Sequence, residues 1–382
     1  MHAPDGRNRS MDRSRVLRAA SVAVAAGAVL TGYAAVPGAA APAPASVITG
    51  GDAGSGTSAD DVSCGRPSVA LERDAQDFVN KLAAENSPPL SEMTLQQARD
   101  VLNGLQAGPV EKLPVDITEK TIKGGPTGEV SLRIVKPKGA KGTLPGLVYV
   151  HGGGWVLGNA QTHDRLVRQL ATGAKAAVVF VNYTPSPEAR HPVAIEQAYA
   201  ASKWVAEHGR EIGVDGGRLA IAGDSAGGQM ATAVTMMAKE KGGVEFRKQA
   251  LLYPVTEANF DTPSYQRFAT NCWLSTVNMK WFWDEYAPTQ ADRENPLASP
   301  NKATEAQLSD LPPAIVITDS DVLLSGAETY VEKLRAAGVP VEHHHYPRIL
   351  HDFMMLDALR NTESAKDAVD KTTAALRQAL HR

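Results

Sequence analysis

Ser225 stands at the centre of Gly223-Asp224-Ser225-Ala226-Gly227, with an apolar run before it and an Ala-rich stretch after it. In a strand–turn–helix setting, G-x-S-x-G specifies a sharp turn whose small residues let strand and helix approach while the serine oxygen stands clear of the sheet. The helix start adds unpaired N–H groups and the positive end of a dipole. A hydroxyl is a weak nucleophile and needs a base that is itself oriented by an acid. In this topology the acid and then the histidine follow the serine, each just past a later strand. Asp321 lies past the run AIVIT, and His351 lies in YPRILHDF past the stretch 341–346. Asp319, two residues before Asp321, is the rival acid. The chemistry these residues could do is acyl transfer.

A second glycine cluster, Gly152-Gly153-Gly154, follows the apolar run Leu147–Val150 and His151. Three consecutive glycines cost backbone entropy, about 0.5–1 kcal/mol each relative to alanine in regular structure. What they supply is a backbone that can come close to a reacting group and turn its N–H donors inward, as an oxyanion requires. Asp224, beside the nucleophile, either positions the glycine loop or is an exposed turn residue. His343 to His345 form a run, but strand alternation sends His343 and His345 one way and His344 the other, so a packed or solvated strand is expected there and no metal site. Trp155, Trp273, Trp281 and Trp283 either line a pocket or fill a core, and Glu188 reads as structural.

The elements that must hold these residues alternate between β-rich apolar runs and helical stretches. Strands are expected at 129–136, 146–150, 177–182, 218–222, 249–254, 314–318 and 341–346. Helices are expected at 161–173, 192–208, 226–240, 325–337 and 362–380. Such alternation implies βαβ units and an α/β fold with a mostly parallel sheet covered on both faces. Residues 66–106 read as two helices ahead of the first strand. Residues 257–300 form a long insertion carrying Trp273, Trp281, Phe282 and Trp283, and connections of that length are usually functional. Both segments are expected to form a cap over the carboxyl edge of the sheet.

The net charge of -3 over 382 residues, without a basic patch, gives no reason to expect a nucleic-acid partner or an anionic membrane surface. The first residues differ from the rest. Arg7, Arg9, Arg13, Arg15 and Arg18 precede an apolar stretch from about 19 to 36 and then GAAAPAPAS. That layout is a secretory signal peptide over residues 1–45, followed by a leader at 46–64 and the folded domain at 65–382. An exported protein with no stable membrane insertion after cleavage is therefore expected. Export would permit a disulfide between the two cysteines, Cys64 and Cys272; the sequence leaves paired and free thiols equally open, and it does not fix an oligomeric state.

Together the motifs resemble the hormone-sensitive-lipase-like group of α/β-hydrolase esterases over roughly residues 65 to 382. The likeness rests on His151-Gly152-Gly153-Gly154-Trp155, on Gly223-Asp224-Ser225-Ala226-Gly227-Gly228, on Asp321 followed by Leu323 and later Tyr330, and on His351. The chain departs from the pattern at Asp352, where the family usually has glycine before Phe353, and at Thr184 in NYTPSPE, where it has arginine. The resemblance implies an α/β-hydrolase fold with a helical cap and a serine carboxylesterase acting on small-molecule esters. It further implies a catalytic triad of Ser225, His351 and Asp321, and an oxyanion hole from the N–H groups of Gly153, Gly154 and Ala226. His151, Gly152 and Asp224 then support the motif, and neither metal nor cofactor is implied. An amidase or peptidase with the same triad, or a non-catalytic ligand-binding relative, are the alternatives. The bulky insertion points to acetyl to roughly hexanoyl esters.

Overall fold

The structure, a computed structural model, describes residues 70–270 and 273–382. The expected signal peptide and leader, and both cysteines, lie outside the described residues. Eight strands form one sheet: β1 (Val115–Lys123), β2 (Glu129–Pro137), β3 (Leu144–Val150), β4 (Ala177–Asn182), β5 (Val214–Asp224), β6 (Phe246–Leu252), β7 (Ala314–Asp319) and β8 (Val341–Tyr346). They lie in the order β1-β2-β4-β3-β5-β6-β7-β8. Pairings β1/β2 and β2/β4 are antiparallel, and the rest are parallel. Strands β3 and β7 read as continuous apolar runs because both faces are covered; all of β7 is buried. Strand β1 was not expected. Its sequence, VDITEKTIK, is largely exposed at the sheet edge, so it lacks the apolar run by which buried strands are recognised.

Helices α1 (Arg73–Glu85) and α2 (Leu95–Leu105) precede the sheet, as expected of 66–106. Thr94 and Gln97 close a capping box that starts α2. Helices α3 (Asp164–Ala174), α4 (Val193–His208) and α5 (Ala226–Lys241) connect strands. The insertion after β6 carries α6 (Pro263–Arg267), α7 (Thr276–Tyr286) and α8 (Gln290–Glu294), followed by α9 (Glu305–Leu308). Helices α10 (Leu324–Ala336) and α11 (Glu363–Leu380) complete the chain. None of the described helices is long and apolar enough to cross a membrane.

The topology decides where a site can form. From β3 the chain crosses over α3 to β4, then returns over α4, past β3, to β5. Right-handed crossovers in opposite directions place α3 and α4 on opposite faces, where α3 packs on α11 and α4 on α5. The strand order reverses at β3 and β5, and the crevice outside their carboxyl ends is where open α/β sheets take ligands. The glycine cluster leaves β3 there, and Ser225 leaves β5.

Candidate active site

Ser225 occupies the single-residue turn between β5 and α5, at φ 53° and ψ −121°. A non-glycine residue in this region is strained by about 1–3 kcal/mol and persists only where its surroundings impose it. Here the Ser225 N–H donates to the Leu252 carbonyl at 2.8 Å, and the Ser225 carbonyl accepts from Gly228 at 3.0 Å and Val255 at 3.1 Å. The motif glycines have a direct steric reason. A Cβ on Gly227 would lie 2.0 Å from the Val150 carbonyl oxygen, and one on Gly223 would lie 2.2 Å from the Gly227 carbonyl oxygen. Only a bare backbone lets β3, β5 and α5 meet at that distance.

His351, in the loop after β8, places Nε2 2.9 Å from Ser225 Oγ. On the other side of the ring, Nδ1 lies 2.5 Å from Asp321 Oδ2 and 4.0 Å from Asp319 Oδ2. Asp321 is held in place by the Leu323 N–H, which donates to Oδ1 at 2.7 Å. All three carboxyl and imidazole side chains are buried. The structure therefore brings Ser225, His351 and Asp321 together in the expected order and sets Asp319 further off. The ligand atoms of Asp319, Asp321 and His351 lie within 4.8 Å of one another, but both ring nitrogens already face protein partners. Burial alone would depress the imidazole, yet the carboxyls of Asp352, Asp321 and Asp319 overrule it and push it up to about 10.

The glycine loop bends beside this group. Gly153 and Gly154 have φ of 96° and 59°, and no protein acceptor takes the N–H of Gly153, Gly154 or Ala226 among the described residues. Asp224 is fully buried, not an exposed turn residue. Its Oδ1 accepts from Tyr149 Oη at 2.5 Å and from the Gly152 N–H at 3.0 Å, and its Oδ2 lies 3.1 Å from His163 Nε2. Burial opposes the charge on Asp224, but His163 and the Tyr149 hydroxyl hold its carboxyl below the ordinary range. His151 is sandwiched between Phe180 and Tyr183 rings at 5.3 and 4.3 Å. Burial and the neighbouring His163 push its imidazole down to about 3, so it is neutral. With Nδ1 2.8 Å from the Gly152 carbonyl, it orders the loop.

The alpha/beta hydrolase fold family matches residues 147–355, more than half of the chain. Carboxylesterase NlhH of Mycobacterium tuberculosis is 36% identical over 290 residues, which span 75% of this chain and 90% of the relative. Ethyl acetate hydrolase of Pseudomonas putida is 34% identical over 252 residues, 65% of this chain and 78% of the relative. A thermostable esterase from Pseudomonas putida ECU1011, solved as a crystal structure, matches with a TM-score of 0.80 at 45% identity. That match covers 82% of this chain and 98% of the other. The chain belongs to the hormone-sensitive-lipase-like esterase group of the α/β-hydrolases. It is a carboxylic ester hydrolase.

The esterase has a cavity of about 290 Å³ over Ser225 and His351, lined from both the 66–106 and 257–300 segments: Leu90 and Leu102 on one side, Trp273 and Phe282 on the other. The structure divides the four tryptophans between the two readings. Trp155 and Trp283 are fully buried in a cluster with Tyr286, Trp155 stacking on Tyr286 at 4.2 Å. Trp281 is partly buried against the core and does not line the cavity. Of the four, Trp273 alone reaches it. His343 and His345 share Thr318 Oγ1 on one side of β8, while His344 pairs with Glu342 on the other, as strand alternation requires. Glu188 is bonded by Arg99 at 2.7 and 2.8 Å, and Arg99 also donates to the Val156 carbonyl. It ties α2 to the loops beneath.

Three residues escaped sequence reasoning: His163, Arg99 and Arg165. Arg165 pairs with Asp357 at 2.6 Å and donates to the carbonyls of Met354 and Met355, fixing the chain after His351. None sits in a recognisable motif. The partners named above are 57 to 192 residues away in sequence, and spacing alone does not reveal such contacts.

Proposed function

We propose that the esterase works through an acyl-enzyme on Ser225 and favours short acyl groups. The observation that carries this reading is the line Ser225 Oγ, His351 Nε2, His351 Nδ1, Asp321 Oδ2, with contacts of 2.9 and 2.5 Å at its two ends. Oγ attacks the ester carbonyl as its proton passes to Nε2. The negative oxygen that forms faces the N–H groups of Gly153, Gly154 and Ala226. Collapse breaks the bond to the alcohol oxygen, which takes the proton from Nε2. Water, deprotonated by the same nitrogen, then releases the acid and restores Ser225. Asp321 keeps the ring in the tautomer that presents a bare Nε2 and stabilises the imidazolium.

Short-chain preference follows from the cavity. Phe282 packs directly on Gly154, so close that a Cβ there would lie 2.3 Å from the ring, and Leu157, Met279 and Trp273 crowd the same space. The relative named ethyl acetate hydrolase carries a two-carbon acyl ester in its name. Export is part of the same proposal and rests on the arginine-rich start and apolar run of residues 7–36.

A 4-nitrophenyl ester series from acetate to palmitate, run with wild type and Ser225→Ala, tests the proposal. Activity is expected to peak between acetyl and hexanoyl, to fall steeply beyond octanoyl and to vanish in the variant. A peak at twelve carbons or more refutes the short-chain reading, and an active Ser225→Ala refutes the acyl-enzyme.

A further inference from the structure

Asp352 follows His351 at φ 63°, in the left-handed region that glycine adopts freely and that aspartate and asparagine tolerate better than other side chains. It is buried and lines the cavity that holds Ser225. Its Oδ2 is committed, accepting from Trp273 Nε1 at 3.0 Å. Its Oδ1 is buried and, among the described residues, accepts no hydrogen bond. It lies 3.5 Å from His351 Nε2, on the side of the ring that faces Ser225 and too far for a proper hydrogen bond. A buried carboxyl oxygen without a donor is costly, and neither tethering Trp273 nor orienting His351 requires it.

Its position relative to the reaction gives that oxygen a use. In the proposed mechanism, which this inference rests on, Nε2 returns a proton to the departing alcohol oxygen, so that oxygen must come within hydrogen-bond reach of Nε2. Oδ1 is then the acceptor next to the alcohol part of the substrate. A hydroxyl on the carbon adjacent to the ester-bearing carbon, folded back toward the ester oxygen, would meet Oδ1 while the leaving oxygen meets Nε2. The cavity supports a donor and disfavours an anion. Among the described residues no lysine or arginine lines it, and its other carboxylate, Glu85, is exposed. We propose that Asp352 is a specificity-determining residue that selects esters whose alcohol carries a vicinal hydroxyl, such as monoesters of 1,2-diols.

The matched pair 2-hydroxyethyl acetate and propyl acetate isolates the effect, because a hydroxyl replaces a methyl of similar size. Rates of kcat/KM by pH-stat are divided by the rates of hydroxide-catalysed hydrolysis of the same esters, which removes intrinsic reactivity. Wild type is expected to favour the hydroxy ester by about tenfold, the scale of one hydrogen bond to a charged or buried partner. In Asp352→Gly, which suits the positive φ, the ratio is expected to fall to about one. Asp352→Asn, also tolerant of that conformation, keeps the volume and loses the charge, so its ratio should fall severalfold even if the glycine variant does not fold. A normalised wild-type ratio near one, or a ratio unchanged by both substitutions, overturns the inference. Hydrolysis surviving in Ser225→Ala would instead overturn the acyl-enzyme mechanism beneath it.

Discussion

Exchanging each candidate acid for asparagine separates Asp321 from Asp319 sharply. Both are buried at the carboxyl end of β7, and both could stabilise a protonated His351. Their oxygens lie 2.5 and 4.0 Å from Nδ1. At an effective dielectric of about 20, the difference in attraction to an imidazolium is about 2.5 kcal/mol, roughly 70-fold in rate. Orientation adds to this. Asp321 is pinned by the Leu323 N–H and faces Nδ1, whereas an amide in its place can offer an N–H to Nδ1 and so favour the wrong tautomer. Loss of the tautomer-setting carboxylate in such triads costs about 10⁴-fold in kcat. Asp321→Asn is therefore expected to lose about 10³- to 10⁴-fold in kcat on 4-nitrophenyl butyrate, and Asp319→Asn to lose at least 70-fold less. Thermal unfolding of both variants checks that each is folded at the assay temperature. If Asp319→Asn lost as much as Asp321→Asn, the acid assignment would be wrong.

Three further outcomes follow from the geometry. Because Asp352, Asp321 and Asp319 together hold His351 well above its ordinary value against the effect of burial, the neutral base should gain population as pH rises. The kcat/KM of wild type should thus climb through pH 8, and Asp352→Asn should shift that limb to lower pH; a shift upward contradicts the electrostatic account. Gly227→Ala should yield little folded protein, since its Cβ would meet the Val150 carbonyl at 2.0 Å with only backbone around it, and normal expression with a wild-type melting temperature would show that the elbow can relax. Arg99→Ala, which frees Glu188 and the Val156 carbonyl beneath α2, should raise KM more than it lowers kcat, and an unchanged KM would mean that α2 does not depend on this tether.

Much of the sheet was legible in the sequence because buried parallel strands declare themselves as apolar runs. Strands β2, β3, β4, β7 and β8 fall within two residues of the expected bounds, although β8, VEHHHY at the far edge of the sheet, is no apolar run. The first strand escaped because an edge strand with a solvated face has no such run. Ser225, His351 and Asp321 were legible because each stands at the end of a strand and the fold fixes their chain order. The tryptophans were ambiguous for a physical reason. An aromatic ring in a loop has the same sequence signature whether it faces a cavity or another ring, and Trp155 settled against Tyr286 while Trp273 settled against Asp352.

What no pattern could show is how the two glycine motifs are locked together. Asp224 belongs to one motif and the Gly152 N–H to the other, and their bond spans the crevice between β3 and β5. A Cβ on Gly152 would lie 2.4 Å from Asp224 Oδ2, so the first glycine of the loop is required by this carboxylate rather than by an oxyanion. The carboxylate in turn needs a counter-charge to remain ionised without exposure. His163 supplies it from the start of α3: burial opposes its charge, but Asp224 draws its imidazole above the ordinary range. That charge is one reason His151, 5.2 Å away by ring centroid, stays neutral. Two adjacent buried imidazoles thus divide the work, His163 drawn upward by Asp224 and holding it, and His151 neutral to pack between rings and steady the Gly152 carbonyl. The loop that presents Gly153 and Gly154 is fixed by this division of charge, and the turn that presents Ser225 is fixed by the same aspartate.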